Sequence, residues 1–183
     1  NNDIYTFGTS SVGEADKVVE NTGEGLDTLS FAIRTTAVTV YLNLSTVQAV
    51  HSNRTLQLNS HSTIENLIGG SASDLLVGNA LNNTLTGGAG DDILNGTTGS
   101  DMLIGGLDND TYTFGTATVG ETDKVVENTG EGTDSLSFVT RTTAVTVSLN
   151  STAMQSVHTD RRLKLNSGGT IENAFGGAGN DTL

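Results

Sequence analysis

A run of nine-residue blocks constrains the fold of this chain more than any other feature. From Ser60 to Thr113 the sixth place of each block is acidic or Asn, the eighth is a large apolar or aromatic residue, and glycine opens five blocks of six. Places seven to nine predict a short strand whose middle side chain points inward, because side chains alternate along a strand. One block is therefore half a coil of a stacked all-β structure. The blocks are SHSTIENLI, GGSASDLLV, GNALNNTLT, GGAGDDILN, GTTGSDMLI and GGLDNDTYT.

Stacking predicts which acidic residues become neighbours. If successive blocks alternate between two sheets, turns on the same side are eighteen residues apart in sequence and about 4.8 Å apart in space. One edge then carries Asp74, Asp92 and Asp110, and the other carries Glu65, Asn83 and Asp101. Carboxylates at this spacing repel each other, whereas a calcium ion between adjacent ones converts the repulsion into ligation. The inward residues predict two core ladders, formed by Leu67, Leu76, Leu85, Leu94, Leu103 and Tyr112.

A longer duplication encloses the short blocks. Residues 2–76 align with 109–183 at an offset of 107 residues, and 49 of the 75 pairs are identical. A looser motif in TGEGLDTLS and TGEGTDSLS places Asp27 and Asp134 at the sixth position, with wider loops around them. We therefore predict wide coils over 1–59, tight coils over 60–107, wide coils over 108–166 and the start of a second tight section over 167–183. We expect the chain to be an excerpt of a longer array.

Composition excludes several functions. With 21 acidic and 8 basic residues the formal charge is -13, which repels nucleic acid phosphates and anionic lipids. We therefore expect no nucleic acid partner and no membrane insertion, since no apolar run approaches the length of a transmembrane helix. The absence of Cys removes disulfides and thiolate metal sites, so hard oxygen ligands are the remaining external source of stability. His51 and His158 have no zinc-site spacing, no acyl-transfer motif is present, and we predict no enzymatic activity.

These blocks resemble the repeats-in-toxin (RTX, hemolysin-type) calcium-binding family. GGAGDDILN and GGAGNDTL fit its pattern at every defined place. The resemblance implies a parallel β-roll that holds several calcium ions through sixth-place side chains and glycine carbonyls, in a protein exported unfolded and folded by external calcium. The residues assigned to metal are Asp3, Asp27, Glu65, Gly70, Asp74, Asn83, Gly87, Gly88, Gly90, Asp92, Gly99, Asp101, Gly105, Gly106, Asp110, Asp134, Glu172, Gly177, Gly179 and Asp181.

Departures from the pattern distinguish the two edges. Asn83 loses a charge, and Ala72, Leu81 and Asp108 replace glycine at the fourth place. The edge with Glu65, Asn83 and Asp101 is therefore expected to bind calcium more weakly, or to bind fewer ions. The main alternative for such a Gly-, Asp- and Asn-rich chain is disorder, which we expect only without calcium.

Two classes of function fit these features. In the first, the chain is a structural segment of a long secreted or cell-surface protein, such as an adhesin stalk, filament or sheath. Its partners are calcium and neighbouring repeats, of the same chain or of other copies. In the second, it is a calcium-triggered folding and secretion module attached to a secreted enzyme or toxin. The large duplicated unit favours the first class.

Overall fold

Strands are the only regular elements in the part of the chain that the structure describes. The computed structural model describes residues 1–9, 13–116 and 120–183. Within these ranges, no helix has the length and apolar character needed to cross a bilayer. The strands are β1 (Ile4–Thr6), β2 (Glu14–Val18), β3 (Thr28–Ser30), β4 (Thr39–Tyr41), β5 (Gln48–His51), β6 (Arg54–Leu58), β7 (Asn66–Ile68), β8 (Leu75–Val77), β9 (Thr84–Ala89), β10 (Ile93–Asn95), β11 (Met102–Leu107), β12 (Thr111–Thr113), β13 (Glu121–Val126), β14 (Ser135–Ser137), β15 (Gln155–Ser156), β16 (Arg161–Leu165) and β17 (Asn173–Phe175).

The strands form parallel sheets, as expected for a β-roll. The first sheet has the order β1-β3-β7-β9-β11-β13-β16-β15, and the second has the order β17-β14-β12-β10-β8-β4. A small third sheet has the order β2-β6-β5. All named pairs are parallel except β5 with β6 and β15 with β16. Consecutive tight coils therefore alternate between the first and second sheets, and the predicted all-β parallel architecture is confirmed.

The tight coils have the predicted eighteen-residue register. In the second sheet Leu94 lies opposite Leu76 on one side and Tyr112 on the other. In the first sheet Leu85 lies opposite both Leu67 and Leu103. All six side chains are fully buried. The two predicted ladders therefore form the core of the tight section, and the strands begin at the seventh place of each block.

The wide coils require more residues per step. Leu103 lies opposite Val125, and Val125 lies opposite Leu165, which are steps of 22 and 40 residues in place of 18. Their core contains stacked aromatic pairs, Phe7 with Phe31 in the first copy and Phe114 with Phe138 in the second. The additional residues form the longer loops that the spacing of the acids predicted.

The two copies of the duplicated unit join through the same sheet without interruption. β11, at the end of the first copy, pairs with β13 of the second copy in the way that β9 pairs with β11. The copies differ in orientation, because β1, β3 and β7 belong to the first sheet whereas their equivalents β12, β14 and β17 belong to the second. Equivalent strands of the two copies therefore lie in opposite sheets of the roll. Sequence comparison does not reveal this feature.

Candidate calcium sites

The sixth-place side chains form two continuous ladders at the edges of the roll. On the edge that we call the Asp92 edge, Asp92 Oδ1 accepts a hydrogen bond from the Asp74 backbone N–H at 2.7 Å, and Asp110 Oδ1 accepts one from Asp92 at 2.8 Å. The same contact continues from Asp110 to Asp134 and from Asp134 to Glu172. These predicted residues are therefore brought together. The Asp92 edge consists of Asp74, Asp92, Asp110, Asp134 and Glu172.

The opposite ladder, which we call the Asp101 edge, follows the same rule except at Asn83, whose Oδ1 accepts from the Asn79 N–H while its amide donates to the Glu65 carbonyl oxygen. Asp27 Oδ1 accepts from the Asp3 N–H, Glu65 accepts from the Asp27 N–H, and Asp101 Oδ1 accepts from the Asn83 N–H at 2.8 Å. Asp123 extends this ladder by accepting from the Asp101 N–H. One oxygen of each such side chain thus connects neighbouring coils and leaves the other oxygen free for a different partner. The Asp101 edge consists of Asp3, Asp27, Glu65, Asn83, Asp101 and Asp123.

The second carboxylate oxygen faces a small space inside the turn. Among the described residues, Oδ2 of Asp92, Asp101 and Asp110 is buried without a hydrogen-bond partner. A Cβ added to Gly87 would overlap Asp92 Oδ2 and the carbonyl oxygen of Gly105 from the next coil on that side. Each such space is lined by a carboxylate oxygen, and at Gly87 also by a backbone carbonyl oxygen, both of which are ligands that Ca²⁺ prefers. The residues present therefore fit calcium.

The predicted glycines serve two different purposes. Gly88, Gly90, Gly99 and Gly106 have φ angles between 100° and 123°, a conformation that favours glycine. The other predicted glycines do not have positive φ, and they are required by close approach. A Cβ would overlap a carboxylate oxygen at Gly87 and Gly105, and backbone atoms of a neighbouring coil at Gly70, Gly177 and Gly179. The first-place glycines Gly69, Gly96 and Gly176 face Asp oxygens in the same way and were not predicted.

The second tight section, from residue 167 onward, repeats the first. Asp181 Oδ1 accepts a hydrogen bond from the Val145 N–H, as Asp74 Oδ1 does from the Val38 N–H. Glu172 lies at the position equivalent to Glu65, and both accept from the backbone of the preceding sixth-place aspartate. Asp3, Glu172 and Asp181 are less buried than the aspartates of the central coils.

Burial makes the charged carboxylates unfavourable without a cation. Desolvation raises the pKa of Asp92, Asp101 and Asp110 from 3.8 to about 7 each. On the Asp92 edge, repulsion from neighbouring carboxylates adds to this effect on Asp92 and Asp110. Desolvation also raises the pKa of Asp74 and Asp134. Either protons or cations must therefore neutralise the interior of the turns.

These shifts predict an inverted pH dependence for the metal-free fold. Between about pH 4 and pH 7 the folded chain holds more protons than the unfolded chain, so its stability is greatest below this window and falls as the pH rises through it. In calcium-free buffer the chain is expected to have more β structure and a higher melting temperature at pH 5 than at pH 8, where most of the fold is expected to be lost. Saturating calcium is expected to reverse this order. Thermal melts followed by circular dichroism test this, and a metal-free melting temperature that is flat or rises with pH would contradict it.

Protein groups supply part of the compensation on the Asp101 edge. The Asn83 amide donates to the carbonyl oxygens of Glu65 at 3.1 Å and Ile64 at 3.3 Å. The buried guanidinium of Arg161 pairs with Asp123 and lies 3.6 Å from Glu121. Arg54, its copy, pairs with Glu14 and Asp16 in the third sheet, outside this edge. The donors Asn83 and Arg161 favour the prediction that the Asp101 edge holds fewer calcium ions than the Asp92 edge.

Sequence reasoning missed the buried acids Glu20 and Glu127. Each belongs to a group of three carboxylates whose ligand atoms lie within 4.8 Å of one another, Asp3 with Glu20 and Asp27, and Asp110 with Glu127 and Asp134. The available signal was the segment DKVVENTGEG, which is unchanged between the two copies. Neither glutamate falls at the sixth place of a block, so the nine-residue pattern does not point to them.

Comparison with known families identifies the repeat. The model of the RTX calcium-binding nonapeptide repeat matches in four copies, over residues 68–103, 77–112 and 167–183. No curated protein matches the chain.

Proposed function

We propose that this chain, whose nonapeptide blocks match the RTX calcium-binding repeat over residues 68–112 and 167–183, binds several calcium ions and has a structural role in a longer extracellular protein. In this proposal the segment is part of a secreted or cell-surface stalk, filament or sheath that folds and stiffens when it meets external calcium. It carries no catalytic residues of its own. Sites that form only in the folded chain contribute their binding energy directly to folding.

The observation that carries this proposal is the junction between the two copies. β11 pairs with β13 across the junction, and Asp110, the first sixth-place acid of the second copy, accepts a hydrogen bond from Asp92 of the first. The contact between units is therefore the same as the contact between coils within a unit. A chain with more copies would extend the same two sheets into a single stiff rod, as stacked repeat proteins do.

The proposed calcium-dependent folding requires the calcium concentration found outside cells. Calcium sites of extracellular modules bind at about 0.1–1 mM, so such a segment would remain unfolded inside a cell and fold outside it. The lack of Cys means that calcium takes the stabilising role that disulfides have in many secreted domains.

The second candidate is a calcium-triggered folding and secretion module attached to an enzyme or toxin. The nonapeptide blocks are compatible with it, but it does not require wide sections that continue the same sheets between copies. The number of 107-residue units in the parent protein separates the two candidates. Many units would support the structural role, whereas a single pair next to a catalytic domain would favour the module.

Self-association provides the laboratory test. β1 and β17 are edge strands with a neighbour on one side only, and such edges pair with other strands. Repulsion between chains of formal charge -13 opposes this contact, and bound calcium relieves it. We expect light scattering and electron microscopy to show elongated particles that lengthen with calcium, whereas magnesium at matched ionic strength should substitute poorly. A strictly monomeric chain at millimolar calcium would favour the folding module.

A further inference from the structure

Glu127 occupies a position that glycine holds in the tight coils. In the first sheet Val126 lies opposite Ile104, so Glu127 follows at the level of Gly105. One step earlier, Gly105 stands at the level of Gly87, where its carbonyl oxygen lines the space beside Asp92. The wide coil thus presents a carboxylate side chain at the register position where the tight coil presents a backbone carbonyl.

Several contacts fix the orientation of this glutamate. The Asn166 side chain accepts a hydrogen bond from the Glu127 N–H at 2.8 Å and donates one to the Glu127 carbonyl at 2.7 Å. The Tyr112 hydroxyl donates to Glu127 Oε1. Asn166 and Tyr112 are uncharged, so they orient the Glu127 carboxylate but do not neutralise its negative charge.

Oxygen atoms lie nearest to the space beside Gly105. The nearest atoms to a Cβ placed on Gly105 would be Asp110 Oδ2, the Tyr112 hydroxyl and Glu127 Oε1. Glu127 and Asp110 are 0% and 1% exposed, and within the described chain Glu127 Oε2 and Asp110 Oδ2 have no hydrogen-bond partner. Asp134, also 1% exposed, completes the group. Among the described residues none of the three carboxylates is paired with a cationic side chain, and Asp110 and Glu127 each have a free oxygen. A cation of high charge, or protons in its absence, must neutralise this group.

We propose that Glu127 joins Asp110 and Asp134 of the Asp92 edge in a three-carboxylate calcium site that binds the tightest ion of its unit. The affinity of calcium sites rises with the number of charged ligands and with rigidity, and this site exceeds the nonapeptide turns in both. It lies where the tight coils meet the wide section, so its ion joins the two kinds of coil. This inference rests on the calcium-dependent folding proposed above.

The first copy repeats the contacts of the glutamate, whereas Asp3, the equivalent of Asp110, is exposed. The Asn59 side chain brackets the backbone of Glu20, and the Tyr5 hydroxyl donates to Glu20 Oε1. Glu20 is 3% exposed and lies with Asp3 and Asp27 in the second three-carboxylate group. The chain is therefore expected to hold two ions of this type, one in each copy.

The test is a calcium titration against a competing chelator, with two matched double variants. The wild-type chain is expected to bind two ions more tightly than the remainder. In Glu20→Gln/Glu127→Gln these two ions should bind at least about tenfold more weakly, because each site loses a charged ligand. Glu24→Gln/Glu131→Gln removes two acids from the same loops, outside the three-carboxylate groups. Because Glu131 contributes only repulsion from outside the group, this control should weaken the tight phase much less.

Terbium luminescence gives a second readout, which is measured on the wild-type chain and so does not depend on whether a variant folds. The chain has no Trp and three Tyr, two of which contact the proposed site glutamates. The first two equivalents of Tb³⁺ bound to the wild-type chain should therefore give tyrosine-sensitised emission, which Tyr5→Phe/Tyr112→Phe should lose while still binding calcium.

The site would be overturned if Glu20→Gln/Glu127→Gln kept both tight ions, or if the first Tb³⁺ equivalents gave no sensitised emission. If the chain binds calcium and folds but shows no tight phase in the titration, the three-carboxylate site is contradicted while the proposed function stands. A chain that binds calcium without any gain of structure would contradict the proposed function, whatever the tight phase shows.

Discussion

In excess chelator at neutral pH, the chain is expected to lose most of its β-sheet signal and to expand. Neighbouring carboxylates about 4.8 Å apart repel by roughly 3 kcal/mol per pair at an effective dielectric constant near 20. The Asp92 edge alone has five acids in sequence along its ladder. A typical domain is stable by only about 5–15 kcal/mol, so repulsion of this size is sufficient to unfold it.

Calcium should restore the fold by a comparable amount. Each site saturated at a hundredfold excess over its dissociation constant contributes about 2.7 kcal/mol, so three independent sites supply roughly 8 kcal/mol. Far-UV circular dichroism and small-angle X-ray scattering across a calcium series measure the transition, with magnesium as the control cation. A chain that remains compact and β-rich in chelator at low ionic strength would show that the ions are accessory.

The substitution Arg161→Met is expected to destabilise the chain by about 3–5 kcal/mol even in saturating calcium. Arg161 is 3% exposed, pairs with Asp123 and lies near Glu121, and it donates to the Thr97 carbonyl oxygen at 2.9 Å. Its guanidinium also lies over the Phe114 ring. Methionine preserves much of the apolar volume but leaves two buried carboxylates without their cation.

The neighbouring Arg162 provides a matched control for this prediction. Arg162 is exposed, and in the described part of the chain its side chain donates one hydrogen bond, at 3.3 Å to the Gly120 carbonyl oxygen. Arg162→Met should therefore change the free energy of unfolding by no more than about 0.5 kcal/mol. Urea denaturation of both variants in the same calcium buffer compares them, and equal losses would mean that Arg161 does not compensate the buried acids.

The tight coils could be predicted from sequence because their period is constant. A repeat of nine residues places Leu76, Leu94 and Tyr112 in one ladder without knowledge of any other part of the chain, and the structure confirms that register. The same arithmetic brought Asp74, Asp92 and Asp110 to one edge. Local pattern and overall fold agree there, so little else was needed.

The wide sections could not be predicted in the same way, because their contacts depend on loop lengths that follow no period. The hydrogen bond between Tyr112 and Glu127 joins residues 15 apart in sequence, and the one from Arg161 to the Thr97 carbonyl joins residues 64 apart. The exchange of sheets between the two copies likewise depends on the number of half-coils in a unit, which identity between the copies does not reveal. These sections contain the glutamates and arginines that the nine-residue pattern missed.

Counting the calcium ions bound by the wild-type chain, Asp92→Ala and Asp101→Ala tests most directly whether ions are shared along the Asp92 edge. Asp92 has charged sixth-place neighbours on both sides, Asp74 and Asp110, whereas the ladder around Asp101 contains the Asn83 amide and the pair of Asp123 with Arg161. Equilibrium dialysis should show that Asp92→Ala loses more bound calcium than Asp101→Ala, with a greater loss of stability. Equal losses, or a larger loss from Asp101→Ala, would contradict the sharing of ions along the Asp92 edge.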